Sequence, residues 1–459
     1  MNGFFEFARK IASVVAKWDD IVVVGHYDED GITSTAILVS ALRGMGKEVS
    51  FFNLKQLYRD ELEKFQNAGE YIIFADMGSG QLPFLCEQVE KPFLVLDHHH
   101  ISSSGEYPFL LHPHLFGMDG SKEISGAGVS YVFATALGAP RDLAAVAVVG
   151  AVGDVQLVDN ALIGYNRKIL ADAISAGKVF AYKDLALYGR ASRPLPYMFI
   201  FSSDPVLPGL TANEDAVLDL LKRAGIEYTV NGERVHYVDL SEEDKKRLFT
   251  ELAMYLSRRG WSEAGILRLI GEVYDITTED LHSPLREVRE FATLLNACGR
   301  HGRPDVGVNV AMGDRERWLD EALSLLSRHR EMLRKGIEWV LEGGIETYPH
   351  FYFFHARHVI PASLVGVVAG MVYGSAAIPP DKPVVAMAYE DEGYVKVSAR
   401  ANSTIVRRGI NLAKAMRTAA ESVGGEAGGH VPAAGARIRR DAEGEFLQHL
   451  ERALRAQLT

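Results

Sequence analysis

Residues 21–31 read IVVVGHYDEDG, an apolar run that ends in a cluster of polar groups. The β-branched residues of this run predict a buried strand. Helical patterns, such as TSTAILVSALRGMG at residues 33–46, separate it from three similar runs. These are EVSFFN (48–53), YIIFADMGSG (71–80) and FLVLDHHH (93–100). Strands that alternate with helices predict an α/β fold whose parallel sheet is covered on both faces.

Polar side chains follow most of these predicted strands, at the edge of a parallel sheet where ligands usually bind. Residues 26, 28 and 30 would share one face if the chain stays extended there, because side chains alternate along a strand. The groups are His26, Asp28 and Asp30 after the first strand, Asp76 after the third, Asp97, His98, His99 and His100 after the fourth, and Asp154 after a later apolar segment. We expect these side chains to lie close together.

Several carboxylates at one sheet edge would repel each other and raise each other's pKa, and a pair of divalent cations removes that penalty. Mixed imidazole and carboxylate ligation favours Mn²⁺, Fe or Co over Mg²⁺. The alternative is structural, since an isolated Asp after a strand commonly caps a helix or turn and an isolated His is commonly a hydrogen-bonded structural group. Acids at four segment ends, two of them with histidine, favour the metal site.

Composition and charge restrict the class of protein. The chain has 459 residues, 47% of them hydrophobic and 24% charged, which is typical of a folded protein with two or three domains. Two cysteines fit a reducing cytoplasm, and the apolar runs are too short to cross a bilayer. The net charge of −11 implies that any contact with a polyanion needs locally gathered basic residues. We therefore expect a cytoplasmic protein without a membrane partner.

The pattern of elements changes twice along the chain. Residues 1–190 carry the predicted parallel sheet, and residues 191–344 are mainly helical, apart from a short hairpin turned at Asn231 and Gly232. Strands and helices alternate again in residues 345–459. The sequence thus predicts an α/β domain, a helical insertion or connecting region, and a smaller α/β domain.

Four motifs occur in order along the chain: HYDEDG (26–31), ADMGSG (75–80), LDHHH (96–100) and GAVGD (150–154). They resemble the motifs of the DHH phosphoesterase superfamily. VSARA (397–401) and GGHVPAAG (428–435) are similar to its accessory DHHA1 domain, and LNACGR (295–300) resembles a signature of RecJ nucleases. The arrangement is similar to archaeal RecJ-like exonucleases, including those that associate with the GINS replication complex. The resemblance implies a Rossmann-like DHH domain, a DHHA1 substrate-binding domain and an active site in the cleft between them.

The resemblance also implies roles for individual residues around two Mn²⁺ ions, for which Mg²⁺ or Co²⁺ could substitute. Asp76 would be shared by both ions. The implied ligands are His26, Asp28 and Asp154 for one ion, and Asp30 and His98 for the other. His99 would contact the substrate phosphate or transfer a proton, and Asp97 would orient an imidazole as a hydrogen-bond acceptor.

Phosphate contacts are expected mainly from the C-terminal domain. Ser398 and Arg400 share one face of a strand, and Gly428, Gly429 and His430 offer backbone N–H groups and an imidazole. Arg300 follows a glycine at a predicted helix end, where its guanidinium could bind a backbone phosphate. For each arginine the alternative is an ordinary surface charge, and for the glycines it is a tight turn between a strand and a helix.

These features predict a Mn²⁺-dependent exonuclease that cleaves single-stranded DNA or RNA by a two-metal mechanism in replication or repair. A phosphodiesterase of short oligonucleotides or cyclic dinucleotides would need the same metal ligands. A third hypothesis is a replisome scaffold that binds GINS and in which catalysis is vestigial. An intact ligand set argues against a purely structural role.

Overall fold

The computed structural model describes residues 2–57, 59–101, 107–202, 205–211, 213–374, 378–390 and 393–458. The chain forms two compact units. The first unit comprises Met1–Met198 and Val217–Leu326, and the second unit comprises Phe199–Ala216 and Ser327–Thr459. The predicted boundaries after residues 190 and 344 do not coincide with this division, and as domain boundaries they stay a prediction.

The first unit is built on a five-stranded sheet with the order β2-β1-β3-β4-β5. Every neighbouring pair in this sheet is parallel, which confirms the predicted sheet. The strands are β1 (Asp20–His26), β2 (Glu48–Leu54), β3 (Tyr71–Ala75), β4 (Phe93–Leu96) and β5 (Leu110–Leu111). The helices of this part are α1 (Asn2–Val15), α2 (Glu29–Gly44), α3 (Arg59–Gln66), α4 (Leu82–Gln88), α5 (Gly126–Ala136), α6 (Ala144–Gly153) and α7 (Gly164–Ser175).

Both faces of the sheet are buried, because successive residues of β1 enter different hydrophobic clusters. Ile21 and Val23 pack in a cluster with Phe133 of α5. Val22 and Val24 pack in another cluster with Phe74 of β3 and residues of α3 and α4. Each buried side chain of this size contributes about 1.5–3 kcal/mol relative to exposure. A near-continuous apolar strand is the sequence pattern that such two-sided burial requires.

The rest of the first unit is mainly helical, but it also contains short antiparallel pairs. Strands β8 and β11 pair with each other, and the β9–β10 hairpin turns at Asn231 and Gly232, which both have positive φ. The elements are β6 (Leu157–Val158), β7 (Ala161–Leu162), β8 (Val179–Leu185), α8 (Leu195–Ile200), α9 (Glu214–Arg223), β9 (Thr229–Val230), β10 (Glu233–Arg234), α10 (Glu242–Ser257), α11 (Glu263–Leu267), β11 (Ile270–Ile276), α12 (Val288–Arg300) and α13 (Pro304–Ala311). Helix α8 ends in the second unit, and α9 begins there.

The second unit contains a six-stranded sheet with the order β12-β13-β14-β15-β17-β16. Only β13 and β14 pair in parallel, and the other neighbouring pairs are antiparallel. The elements are α14 (Arg317–Gly343), which begins in the first unit, β12 (Glu346–Thr347), β13 (Tyr352–His355), α15 (Ala362–Gly374), β14 (Val384–Tyr389), β15 (Tyr394–Arg400), α16 (Ser403–Arg407), α17 (Leu412–Glu421), β16 (Glu426–Gly429), β17 (Ala433–Arg439) and α18 (Glu443–Arg455).

None of the helices within the described ranges is both long and apolar enough to cross a membrane.

Candidate metal centre

Three ligand-type side chains lie around the carboxyl end of β1. His26 is the last residue of β1, and Asp28 caps α2 by accepting a backbone N–H bond of 3.1 Å. Because α2 begins at Glu29, the alternation expected for an extended chain is wrong for Asp30. Asp30 lies instead in the first turn of α2, where it is buried at the same edge of the sheet.

Asp76 follows β3 with φ of 59°, a left-handed conformation that is uncommon for a residue other than glycine. Two helices approach the buried carboxylates closely because they carry glycine at the contact. A Cβ atom at Gly126 of α5 would lie 2.4 Å from Asp76 Oδ1, and one at Gly150 of α6 would lie 2.5 Å from Asp30 Oδ1. The glycines therefore make room for the carboxylates.

The structure brings together all six predicted metal ligands. Asp76 contacts both imidazoles: its Oδ2 is 3.8 Å from His26 Nδ1, and its Oδ1 is 3.1 Å from His98 Nε2. His26 Nδ1 also lies 2.8 Å from Asp28 Oδ2. His98 Nε2 lies 3.6 Å from Asp30 Oδ2 and 3.7 Å from Asp154 Oδ2. One possible cation site is formed by His26, Asp28 and Asp76, and another by Asp30, His98 and Asp154. Asp76 belongs to the first and contacts His98 of the second, so it lies between them.

The grouping of Asp154 differs from the one that the resemblance implied. There Asp154 was placed with His26 and Asp28, whereas in the structure it lies with Asp30 and His98. The division of the ligands between two ions stays a prediction.

The electrostatics of this cluster fit divalent cations. Burial raises the pKa of Asp76 well above its usual range, and the neighbouring charges of Asp30 and Asp28 raise it further. Burial and the charge of Asp30 likewise raise the pKa of Asp154 to about 6. Cations would remove this repulsion between buried carboxylates.

Unpaired polar atoms at the centre of the cluster support the same conclusion. His98 Nε2 and Asp76 Oδ1 are buried, and neither makes a hydrogen bond of acceptable geometry within the described ranges, although they lie 3.1 Å from each other. Buried polar atoms are usually satisfied, so atoms left open in this way are suited to bind an ion.

Asp97 is buried behind these ligands and holds the loop that follows β4. Its Oδ1 accepts the backbone N–H of His98 at 2.7 Å and lies 2.8 Å from His99 Nδ1. Its Oδ2 accepts hydrogen bonds from the hydroxyl and backbone N–H of Ser79 at 2.6 and 2.9 Å. The side chain of His99 is 54% exposed. Although burial opposes protonation, the hydrogen bond to Asp97 raises the pKa of His99 to about 9.

Gln156 organises the second group, although the sequence analysis did not single it out. Its side-chain nitrogen donates to Gly120 O and to Asp154 Oδ2, both at 2.8 Å. Gly120 O also contacts His98 Nδ1 at 2.6 Å, and Asn166 donates to the Gln156 carbonyl oxygen at 2.7 Å. Hydrogen bonds of this kind fix the orientation of metal ligands. The role of Gln156 could not be predicted from the sequence, because it depends on the burial of this side chain, which arises only from tertiary packing.

Comparison with protein families gives three matches along the chain. Residues 20–151 match the DHH family, N-terminal domain, residues 187–270 match the DHH-CID domain, and residues 361–456 match the DHHA1 domain. The chain belongs to the DHH family. The resemblance stated from the four motifs is confirmed.

The relatives of this DHH protein include the uncharacterized protein MJ0831 of Methanocaldococcus jannaschii. It is 30% identical over 450 residues, which cover 95% of this chain and 94% of that protein. The single-stranded-DNA-specific exonuclease RecJ of Thermus thermophilus is 28% identical over 205 residues, or 42% of this chain and 30% of RecJ. The chain thus matches less than a third of the length of this RecJ.

Solved structures show the same fold. The crystal structure of Thermus thermophilus RecJ in complex with Mn²⁺ has a TM-score of 0.61 at 19% identity and covers 98% of this chain and 55% of that one. CDC45 from Entamoeba histolytica has a TM-score of 0.64 at 12% identity and covers 99% and 98% of the two chains. Membership of the DHH family and the clustered ligands identify the chain as a RecJ-like, metal-dependent hydrolase.

Arg300, the predicted phosphate ligand of the LNACGR segment, ends α12 of the DHH protein. Burial raises the pKa of Tyr27 and of Glu29, and the charge of Arg300 offsets part of that rise, so the guanidinium acts on residues next to the metal ligands. A Cβ atom at Gly299 would lie 1.8 Å from Tyr27 O, and glycine is therefore required for α12 to approach the end of β1.

The other predicted substrate contacts lie in the second unit. Ser398 pairs with Gly435 across β15 and β17, and Gly435 pairs with Gly428 across β17 and β16, so these residues form one row across the sheet. Arg400 lies two residues beyond Ser398, on the same face.

The glycine pair belongs to a β-hairpin rather than to a turn between a strand and a helix. Gly429 ends β16 with φ of 128°, and the His430 N–H donates to Ala433 O at 2.8 Å where the chain turns into β17.

Proposed function

We propose that this DHH protein is an exonuclease that hydrolyses phosphodiester bonds of single-stranded DNA or RNA with two divalent cations, Mn²⁺ in the first place and Mg²⁺ or Co²⁺ as substitutes. The main support is the position of Asp76, whose two oxygens face two separate groups of ligands. His26 and Asp28 would hold one ion, Asp30, His98 and Asp154 the other, and Asp76 both. When bound, such ions activate water for in-line attack on phosphorus and offset the charge that develops on the phosphoryl oxygens.

The surrounding residues of the first unit would hold the substrate. The His99 imidazole is oriented by Asp97 and is half-exposed, so it can donate a hydrogen bond to a phosphoryl oxygen or move a proton at the scissile phosphate. Arg300 would bind a neighbouring phosphate through its guanidinium.

The second unit would hold the rest of the strand. Arg400 and Ser398 offer a charge and a hydroxyl to the phosphates, and Gly428, Gly429 and His430 offer backbone N–H groups and an imidazole. We propose residues 1–190 as the catalytic domain, 191–344 as the connecting region and 345–459 as the substrate-binding domain.

The test is digestion of end-labelled single-stranded DNA and RNA by the full chain with Mn²⁺. Asp76→Asn keeps the shape of the side chain but removes the shared charge, and we expect the rate to fall by about 10³-fold, the equivalent of several kcal/mol of transition-state stabilisation. Asp142→Asn is the control, because this exposed aspartate forms an ion pair with Lys178 away from the cluster. Equal rates for Asp76→Asn and the unaltered chain would end the proposal.

Substrate length separates the exonuclease from the alternatives. A processive release of mononucleotides from a long strand supports the exonuclease, whereas cleavage of only two- to five-nucleotide substrates supports a phosphodiesterase of short oligonucleotides. Absence of hydrolysis on either substrate, with Mn²⁺ bound, supports the scaffold.

We also propose a cytoplasmic location and an association with replication proteins such as GINS, for which the low cysteine content and the motif resemblance are the support. Co-purification of the full chain with GINS tests the association, because residues 191–344 include part of the core of the first unit and cannot be deleted without disrupting it.

A further inference from the structure

A second group of ligand-type side chains lies in the first unit and shares no residue with the candidate metal centre. It consists of His236, Asp239 and His282, whose ligand atoms all lie within 4.8 Å of one another. His282 Nε2 is 2.7 Å from Asp239 Oδ1, and His236 Nδ1 is 3.6 Å from Asp239 Oδ2. The two imidazole rings lie face to face, with centroids 4.3 Å apart and an angle of 22° between the planes.

Local structure fixes two of these side chains. His236 and Asp239 flank a single helical turn, and the His236 N–H donates to Asp239 Oδ2 at 2.8 Å. Tyr237 anchors this turn, because its ring is buried and its hydroxyl donates to Asp184. Two ligands are therefore held in place before any ion binds.

His282 comes from a distant part of the chain, the turn between β11 and α12. The Ser283 N–H donates to Asp280 O at 3.0 Å and closes this turn around His282. An ion bound by all three side chains would tie residues 236–239 to the segment that leads into α12.

A simple hydrogen-bonded pair does not account for the whole group. The bond between His282 and Asp239 satisfies one imidazole, but His236 Nδ1 is buried and has no hydrogen-bond partner among the residues that the structure describes. This nitrogen faces the carboxylate at 3.6 Å, which is too long for a hydrogen bond. Two imidazoles and one carboxylate are a ligand set that proteins use for zinc.

We propose that His236, Asp239 and His282 bind a Zn²⁺ ion that is separate from the catalytic cations. Zn²⁺ fits better than Mn²⁺ or Mg²⁺, because affinity for imidazole rises along the first-row series and Mg²⁺ prefers oxygen ligands. The ion would link the turn at residues 237–239 to the start of α12.

The test is the zinc content of the full chain after it is stripped with a chelator, equilibrated with Zn²⁺ and desalted. Because the imidazoles and carboxylates of the candidate metal centre are also possible zinc ligands, all variants are made in an Asp76→Ala background. We expect His282→Ala to bind one zinc fewer per chain than this background. His282→Cys should retain that zinc, because a thiolate is a good zinc ligand.

The control is His449→Ala, which removes an imidazole that lies 3.6 Å from Glu445 and belongs to none of the possible cation sites among the described residues. It should bind as much zinc as the background. His282 is 51% exposed, so its replacement leaves the core intact, and circular dichroism checks the fold. Equal zinc content in the background, His282→Ala and His449→Ala would overturn the proposal, whatever the activity of the unaltered chain.

Discussion

Glu287 allows a quantitative prediction about pH and stability. This residue caps α12, with one carboxylate oxygen accepting the Glu290 N–H at 3.3 Å, while its Oε1 has no hydrogen-bond partner in the described part of the chain. Burial, with the charge of Glu290 as the next cause, raises the pKa of Glu287 to about 7. Against the ordinary value of 4.5, this corresponds to ~3 kcal/mol, since each tenfold change in proton affinity is ~1.4 kcal/mol.

The sign follows from proton binding. Between pH 4.5 and 7 the folded chain holds the Glu287 proton more tightly than the unfolded chain, so the free energy of unfolding falls as the pH rises through this window. Glu287→Gln removes that loss. We expect the variant to gain ~3 kcal/mol relative to the unaltered chain between pH 4.5 and pH 8.

Equilibrium urea unfolding at a series of pH values, followed by circular dichroism, measures this difference. Glu272→Gln is the matched control with the opposite sign. Burial raises the pKa of Glu272, but the hydrogen bonds from Arg167 and Tyr274 and the charge of Arg167 together lower it below its ordinary value of 4.5. This variant should therefore lose stability relative to the unaltered chain as the pH rises toward and through 4.5, and the difference should stay constant above about pH 6. A constant difference between Glu287→Gln and the unaltered chain from pH 4.5 to 8 would refute the reasoning.

Three further predictions concern metal and substrate. Gln156→Leu should weaken Mn²⁺ binding about 10- to 100-fold in a calorimetric titration, because it removes the hydrogen bonds that orient the ligands of the second group. Gly126→Ala should lower both Mn²⁺ affinity and thermal stability, the latter by about 1–3 kcal/mol, because its Cβ would lie 2.4 Å from Asp76 Oδ1. Gly366→Ala should raise KM roughly tenfold with little change in kcat, because the new Cβ would lie 2.8 Å from the guanidinium of Arg400, the proposed phosphate ligand, and would displace it. Gly370→Ala is the control and should leave KM unchanged, because its Cβ would lie 3.9 Å from Arg400, an ordinary contact distance.

Much of the fold follows from the sequence because strong local signals agree with tertiary structure. The apolar run of β1 is buried on both faces, as near-continuous hydrophobicity predicts, and the Asn231–Gly232 pair turns the β9–β10 hairpin with positive φ at both residues. The alternation of side chains expected for a strand holds from His26 to Asp28 but not for Asp30. A polar residue before a helical pattern can also be a helix N-cap, and Asp28 has that role. Capping starts α2 at Glu29 and ends the extended chain.

The missing parts of the site are those that only tertiary contacts create. Gln156 and Asn166 are polar residues without a periodic pattern, and they become buried partners only when their segments pack together. The left-handed backbone of Asp76 could not be predicted from its residue type, because aspartate enters that region more often than most residues but still at only a small fraction of its positions. His282 lies 43 residues from Asp239, so their contact could not be predicted from spacing.

The residues of the candidate metal centre that suit metal binding also destabilise the folded chain when no metal is bound. Asp30 and Asp76 are nearly inaccessible to water, and burial, together with the charge of Asp30, raises the pKa of Asp76. A fold optimised only for stability would place apolar side chains there. Instead, Gly126 and Gly150 leave room for the carboxylates of Asp76 and Asp30. Asp30 also accepts hydrogen bonds from the backbone N–H groups of Gly126 and Ala127. Divalent cations would offset the repulsion between these carboxylates, because each carboxylate is attracted to the bound ion. Because they bind the folded chain, they would also raise its free energy of unfolding, by an amount set by their concentration relative to Kd. Function and stability are therefore coupled through the cations.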